Sequence, residues 1–166
     1  MAVYSADKLI AEARRLASEY RKATGRPLAG VSNEVAIHDA ARLLDLDVVN
    51  DNSIGYDAVG RGPREGMRIQ IKGRTIYDER KRSQRIGQLK TDRDWDSVVL
   101  VLLDDEFEPY EIYEAQRDDI VSGLGESDNP GRKRRGAMSV AKFKILGRLV
   151  WTREDGVEQD EVWANR

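Results

Sequence analysis

Met67-Arg68-Ile69-Gln70-Ile71-Lys72-Gly73-Arg74 alternates apolar with polar side chains as far as Lys72, the two-residue period of a β-strand. Ile69 and Ile71 therefore share one face, and Arg68, Gln70 and Lys72 share the other. Upstream, Gly60, Gly62, Pro63 and Gly66 punctuate a turn. Ser53-Ile54-Gly55-Tyr56-Asp57-Ala58-Val59 reads as the strand that leads into it. A hairpin folded on that turn brings Asp57 beside Gln70 and Lys72. One carboxylate, one amide oxygen and one ammonium then share a sheet surface.

Such a group suits metal-assisted phosphodiester hydrolysis. Mg²⁺ takes oxygen ligands, commonly one or two carboxylates completed by water and substrate phosphate. Asp57 offers the carboxylate and Gln70 a neutral oxygen. Lys72 stabilises charge developing on the phosphorane or orients the attacking water. At these residues, Tyr56-Asp57 … Gln70-Ile71-Lys72, the chain resembles the PD-(D/E)XK nuclease superfamily. Its motif is an Asp, a variable gap, then Glu or Asp, any residue, and Lys on two adjacent strands. Tyr56 stands where the motif has Pro, and Gln70 where it has an acidic residue. The likeness covers roughly residues 30 to 115.

The resemblance implies an α/β, restriction-endonuclease-like three-layer fold: a central mixed β-sheet flanked by helices, one domain over residues 1–166. It implies an Mg²⁺-dependent endodeoxyribonuclease, with Mn²⁺ as the alternative ion, acting on nucleic acid and above all on DNA. Asp57, Gln70 and Lys72 become its catalytic residues, Asp57 and Gln70 holding the metal. A helix before the motif strands often adds an acidic residue in this superfamily. Glu34 matches it, as a catalytic and metal-binding residue acting directly or through water. Glu34 also has a plainer account, since the first turn of a helix favours negative charge. His38, one helical turn on, can face the same way.

Composition narrows the classes. With 166 residues and 40% hydrophobic content, the chain reads as one domain with a substantial core. No apolar run suits a membrane span, no signal peptide is apparent, and a cytoplasmic protein is the default. There is no Cys and only one His, which excludes disulfides and Cys- or His-rich zinc centres. No G-x-x-x-x-G-K-[ST] occurs, which argues against a P-loop enzyme. The net charge of −2 conceals segregation. Residues 61–93 carry 11 basic and 4 acidic side chains, residues 94–128 carry 1 and 12, and residues 132–153 carry 8 and none. Two basic blocks are what a phosphate-backbone binder needs. The candidate contacts are Arg68, Arg74, Arg80, Lys81, Arg82 and Arg85 in the first block, and Arg132, Lys133, Arg134 and Arg135 in the second.

The remaining elements follow from periodicity and punctuation. Ser5 to Ala23 reads as an amphipathic helix with Leu9, Ala13, Leu16, Ala17 and Tyr20 inward. A second helix runs to Leu44 behind a Ser32 or Asn33 cap, burying Val35, Ala36, Ala40, Leu43 and Leu44. Asp45 to Asn50 gives a turn and short strand. The polar segment 77–90 reads as a surface loop leading to a short helix. Val98 to Leu103 is an interior strand, and Pro109 to Glu114 pairs beside it. Helices are expected from Ala115 to Leu124 and from Ser139, the latter with Val140, Phe143, Ile145 and Leu146 inward. The loop between them, residues 125–136, is rich in turn formers. A final hairpin turns at Asp155-Gly156. Three functions stay open: the nuclease, a non-catalytic nucleic-acid-binding module of the same fold, and a protein-interaction domain. A homodimer is compatible with each.

Overall fold

The computed structural model describes residues 5–51, 54–77, 84–89, 91–125 and 138–158. Helix α1 (Ala6–Thr24) starts at Ser5, whose hydroxyl accepts the Lys8 N–H, and stops at left-handed Gly25. Helix α2 (Val31–Leu44) follows. Strands β1 (Leu46–Val48), β2 (Ala58–Gly60), β3 (Arg68–Thr75), β4 (Ser97–Leu103) and β5 (Pro109–Gln116) come next. Helices α3 (Arg117–Gly125) and α4 (Val140–Leu146) and strands β6 (Arg148–Thr152) and β7 (Gly156–Val157) complete the described elements.

The seven strands form one mixed sheet in chain order, β1-β2-β3-β4-β5-β6-β7. Neighbours are antiparallel except β3 and β4, which run parallel with Gln70 opposite Val98 and Lys72 opposite Leu100. A parallel pair cannot be joined by a tight hairpin, so the chain from Ile76 to Asp96 must cross over. All seven residues of β4 are buried, because each of its faces meets a separate apolar cluster. Val99, Val101 and Leu103 join Ile69, Ile71, Val35, Ala36 and Ala40 on one side. Val98, Leu100 and Leu102 join Ile86, Leu89, Trp95, Ile120 and Phe143 on the other. The chain is thus an α/β protein with helices packed on both faces of its sheet.

Helix α2 lies against β3 on the Ile69/Ile71 side. Gly73 permits the approach: a Cβ there would stand 2.5 Å from Ala36 Cβ and 2.5 Å from the Ser32 carbonyl oxygen. The contact is stitched by Ser32 Oγ with Thr75 Oγ1 at 2.8 Å and by the Gly73 N–H donating to Asn33 Oδ1 at 3.2 Å. Neither Ser32 nor Asn33 is therefore the cap; Gly30, in the left-handed region at φ 85°, precedes the helix without a side-chain cap.

Other expectations also change. Ala17 of α1 is buried as expected, but Leu9 and Leu16 are exposed and Ser18 is buried, since α1 turns a shifted stripe inward. Ile145 is exposed. Asp39 is fully buried in α2, held by Arg14 of α1 at 2.9 Å. Segment 84–89 is a loop, as expected, but it does not lie wholly on the surface. Ile86 and Leu89 are buried, and its backbone pairs with the start of α4: Ile86 N–H to Met138 O at 3.0 Å and Val140 N–H to Gln84 O at 2.9 Å. Two apolar side chains among many polar ones were enough to anchor it. No described helix is long and apolar enough to cross a membrane.

Candidate active site

β2 pairs with β3 only through Ala58 and Val59. Immediately before β2, the Asp57 N–H donates to Ile69 O and its carbonyl accepts from Val49 N–H, both at 2.8 Å. These two bonds fix the Asp57 backbone at the point where the β2 chain leaves β3. Its carboxylate takes over from the departing strand: Oδ2 accepts the Ile71 N–H at 2.7 Å. Ile71 lies between Gln70 and Lys72, so the carboxylate sits against the backbone that presents both. No other hydrogen bond reaches the Asp57 carboxylate among the described residues.

Gln70 and Lys72 point away from Ile69 and Ile71, toward the second cluster. Gln70 is only 3% exposed, and among the described residues neither Oε1 nor Nε2 has a hydrogen-bond partner. A buried amide usually meets its partners, and leaving one unsatisfied costs about 1–3 kcal/mol. Lys72 is half-buried beneath segment 84–89: a Cβ at Gly87 would stand 3.8 Å from Lys72 Nζ. Two residues further on the same face, Arg74 is half-buried with an unpartnered Nε. Burial lowers the pKa of its guanidinium from the ordinary value, and a guanidinium stays ionised even so.

The remaining candidates divide. Glu34 is exposed in the first turn of α2, a helix that packs on the opposite, Ile69/Ile71 face. Among the described residues no three or more Asp, Glu or His gather as metal ligands. Ser32 and Asn33, beside Glu34 and read from sequence as alternative caps, are the α2 residues that hydrogen-bond to β3. His38 turns to Asp7 of α1 at 3.2 Å and takes no part. Arg68 is committed to Asp96: its N–H and Nε both donate to Oδ2, at 2.7 and 3.1 Å. That pairing holds the Asp96 carboxyl below the usual carboxylate range. Arg85 lies in the backbone bridge to Ser139. Arg80, Lys81, Arg82, Arg132, Lys133, Arg134 and Arg135 lie outside the described residues.

A buried network escaped sequence reading altogether. Arg64, in the turn between β2 and β3, donates to both oxygens of Glu114 on β5 at 3.2 Å, and Ser97 Oγ donates to Glu114 Oε2 at 2.9 Å. Its only sequence signal was a Glu placed inside an alternating strand. Compared with known proteins, the chain matches no family model and no curated protein.

Proposed function

We propose that this chain is a metal-dependent nuclease of restriction-endonuclease-like fold, hydrolysing phosphodiester bonds of nucleic acid and cutting DNA internally. One observation carries the reading: the Asp57 carboxylate is bonded to the backbone between Gln70 and Lys72, and the Gln70 amide is buried with no partner among the described residues. A helix-flanked mixed sheet, whose β1-β2-β3 meander leads by a crossover into a parallel β4, supports the fold.

The donor set fits a hydrated Mg²⁺ or Mn²⁺ that keeps several waters and takes phosphate oxygens as further ligands. Asp57 and Gln70 Oε1 would hold it, and the bound ion supplies Lewis-acid polarisation of the phosphoryl group. The chain's own share is positional. The Ile71 N–H fixes the Asp57 carboxylate, and burial confines the Gln70 amide. Lys72 places an ammonium where negative charge accumulates on the non-bridging oxygens. The half-buried setting strengthens that interaction relative to water.

Assays on supercoiled plasmid, single strands and RNA with Mg²⁺ or Mn²⁺ test the reading. Asp57→Ala and Lys72→Ala should each lower cleavage by on the order of 10²–10³, with circular dichroism and nucleic-acid affinity retained. Cleavage that survives both substitutions in purified protein places the chemistry elsewhere. A second reading, a binding module without turnover, draws on Gln70 in the acidic position. Wild-type protein that binds nucleic acid and cuts none, with either metal, selects it.

A further inference from the structure

Gln70, Lys72 and Arg74 form one stripe on β3, spaced two residues apart. Arg74 is set apart from the other well-held arginines. Arg14 holds Asp39, Arg64 holds Glu114, Arg68 holds Asp96 and Arg153 holds Asp104. Arg117 donates to the carbonyls of Arg93, Trp95 and Thr91. Arg74 is half-buried, its Nε has no partner, and among the described residues no carboxylate pairs with it, although the chain carries 30 Asp and Glu. A guanidinium withdrawn from water without a counter-charge is costly. An anion brought from outside would offset that cost, and the planar fork of arginine suits the two free oxygens of a phosphodiester.

Two steps along a strand advance about 6.6 Å, a length comparable with one nucleotide of an extended sugar-phosphate chain. We infer that Arg74 grips the phosphate next to the one addressed by Asp57, Gln70 and Lys72, so that the substrate backbone runs along β3. This inference rests on the nuclease reading and adds to it the direction of the bound strand.

The test separates the two. Affinity of full-length protein for a defined DNA duplex is measured at several salt concentrations without divalent ions, so that nothing is cut. Arg74→Gln should weaken binding several-fold and lower the slope of log affinity against log salt by about 0.9, or by about 0.7 on a single strand. Arg74→Lys keeps the charge and should restore the slope. Once the cut bond is mapped, a neutral methylphosphonate one step from it should weaken wild type as Arg74→Gln does. The variant and the modified DNA together should then lose no more than either alone. Wild-type affinity and slope in folded Arg74→Gln overturn the inference, even where Asp57→Ala still abolishes cleavage and the nuclease reading stands. So does additive loss with the methylphosphonate. A lowered slope in Arg74→Gln, beside a wild type that never cuts, keeps the phosphate contact and removes the nuclease reading. Should Arg74→Gln not fold, Arg74→Met, which keeps the aliphatic stem and removes the charge, takes its place in both measurements.

Discussion

Gln70 presents a cost that the folded chain does not recover by itself. Its amide is buried and, among the described residues, both polar atoms lack partners, where a hydrophobic residue beside Val98 would pack without penalty. Gln70→Leu should therefore raise stability by roughly 1 kcal/mol in metal-free protein, by removing an unsatisfied polar group, while eliminating cleavage. A higher urea midpoint with unchanged slope is the expected result; a lower midpoint would mean that the amide already has its partners in the folded chain. Gln70→Glu runs the other way. A carboxylate at this depth destabilises the metal-free protein, and Mg²⁺ should recover that loss by binding only the folded state. The Mg²⁺ needed for half-maximal cleavage should fall as well. Thermal melts with Mg²⁺ and with chelator check this, and equal shifts for wild type and variant would remove Gln70 from the metal site. This residue also shows what sequence could reveal. Alternation put Gln70 and Lys72 on one face, because side-chain direction in a strand is a local property. The lack of an amide partner was invisible, because it depends on what the sheet and the crossover place overhead.

Among the elements, the β2–β3 hairpin owes its position to a charge buried across the sheet. Arg64 and Glu114 are both almost fully buried, and their ion pair ties the turn to β5 while Ser97 on β4 satisfies a further lone pair. Removing one partner leaves the other charged and dry. Arg64→Ala should cost about 3–5 kcal/mol, whereas Arg64→Met with Glu114→Leu should be close to neutral. Urea unfolding of the two single variants and the double variant gives the comparison. A double variant as unstable as Arg64→Ala would show that the hairpin needs the charge itself. Asp57 sits seven residues before Arg64 on the same hairpin, so the single variant should also weaken cleavage by loosening Asp57 against Ile71. Strands β4 and β5 were legible because burial on both faces, or on one, writes a simple pattern. Segment 84–89 was not, since Ile86 and Leu89 are too few to set a period and are buried only because α4 provides a backbone to pair with. Leu9, Leu16 and Ile145 mislead for a related reason: helical spacing lists apolar positions, and the neighbour's placement decides which of them it covers.

Across the whole molecule, the charge segregation read along the sequence is partly cancelled in space. Arg64 and Arg68, from the basic block 61–93, meet Glu114 and Asp96 of the acidic block 94–128. Arg153 and Arg148, from the second basic block, meet Asp104 and Glu114 at 2.8 and 4.0 Å. Sheet order explains this: β3, β4, β5 and β6 are neighbours, so the acidic β4–β5 hairpin lies between the two basic stretches. Composition could show that the blocks existed, and only the fold shows which charges are already matched. Arg153 is the clearest case. It donates to Asp104 Oδ2 and to the carbonyls of Pro109 and Glu108, all at one end of the β4–β5 hairpin, so its charge is used to hold the turn. A phosphate contact requires a cation that releases counterions on binding, and an arginine with its carboxylate in place releases few. Arg153→Gln should therefore leave both nucleic-acid affinity and its salt slope at the wild-type values, and lower only the thermal midpoint. Reversing the charges of Arg132 to Arg135 should instead flatten the salt response and weaken binding equally across sequences. Titrations of the three proteins at four or five salt concentrations decide the matter. A slope lowered by about 0.9 in Arg153→Gln would show that the Asp104 pair opens to phosphate, and that neutralisation inside the fold does not limit the binding surface.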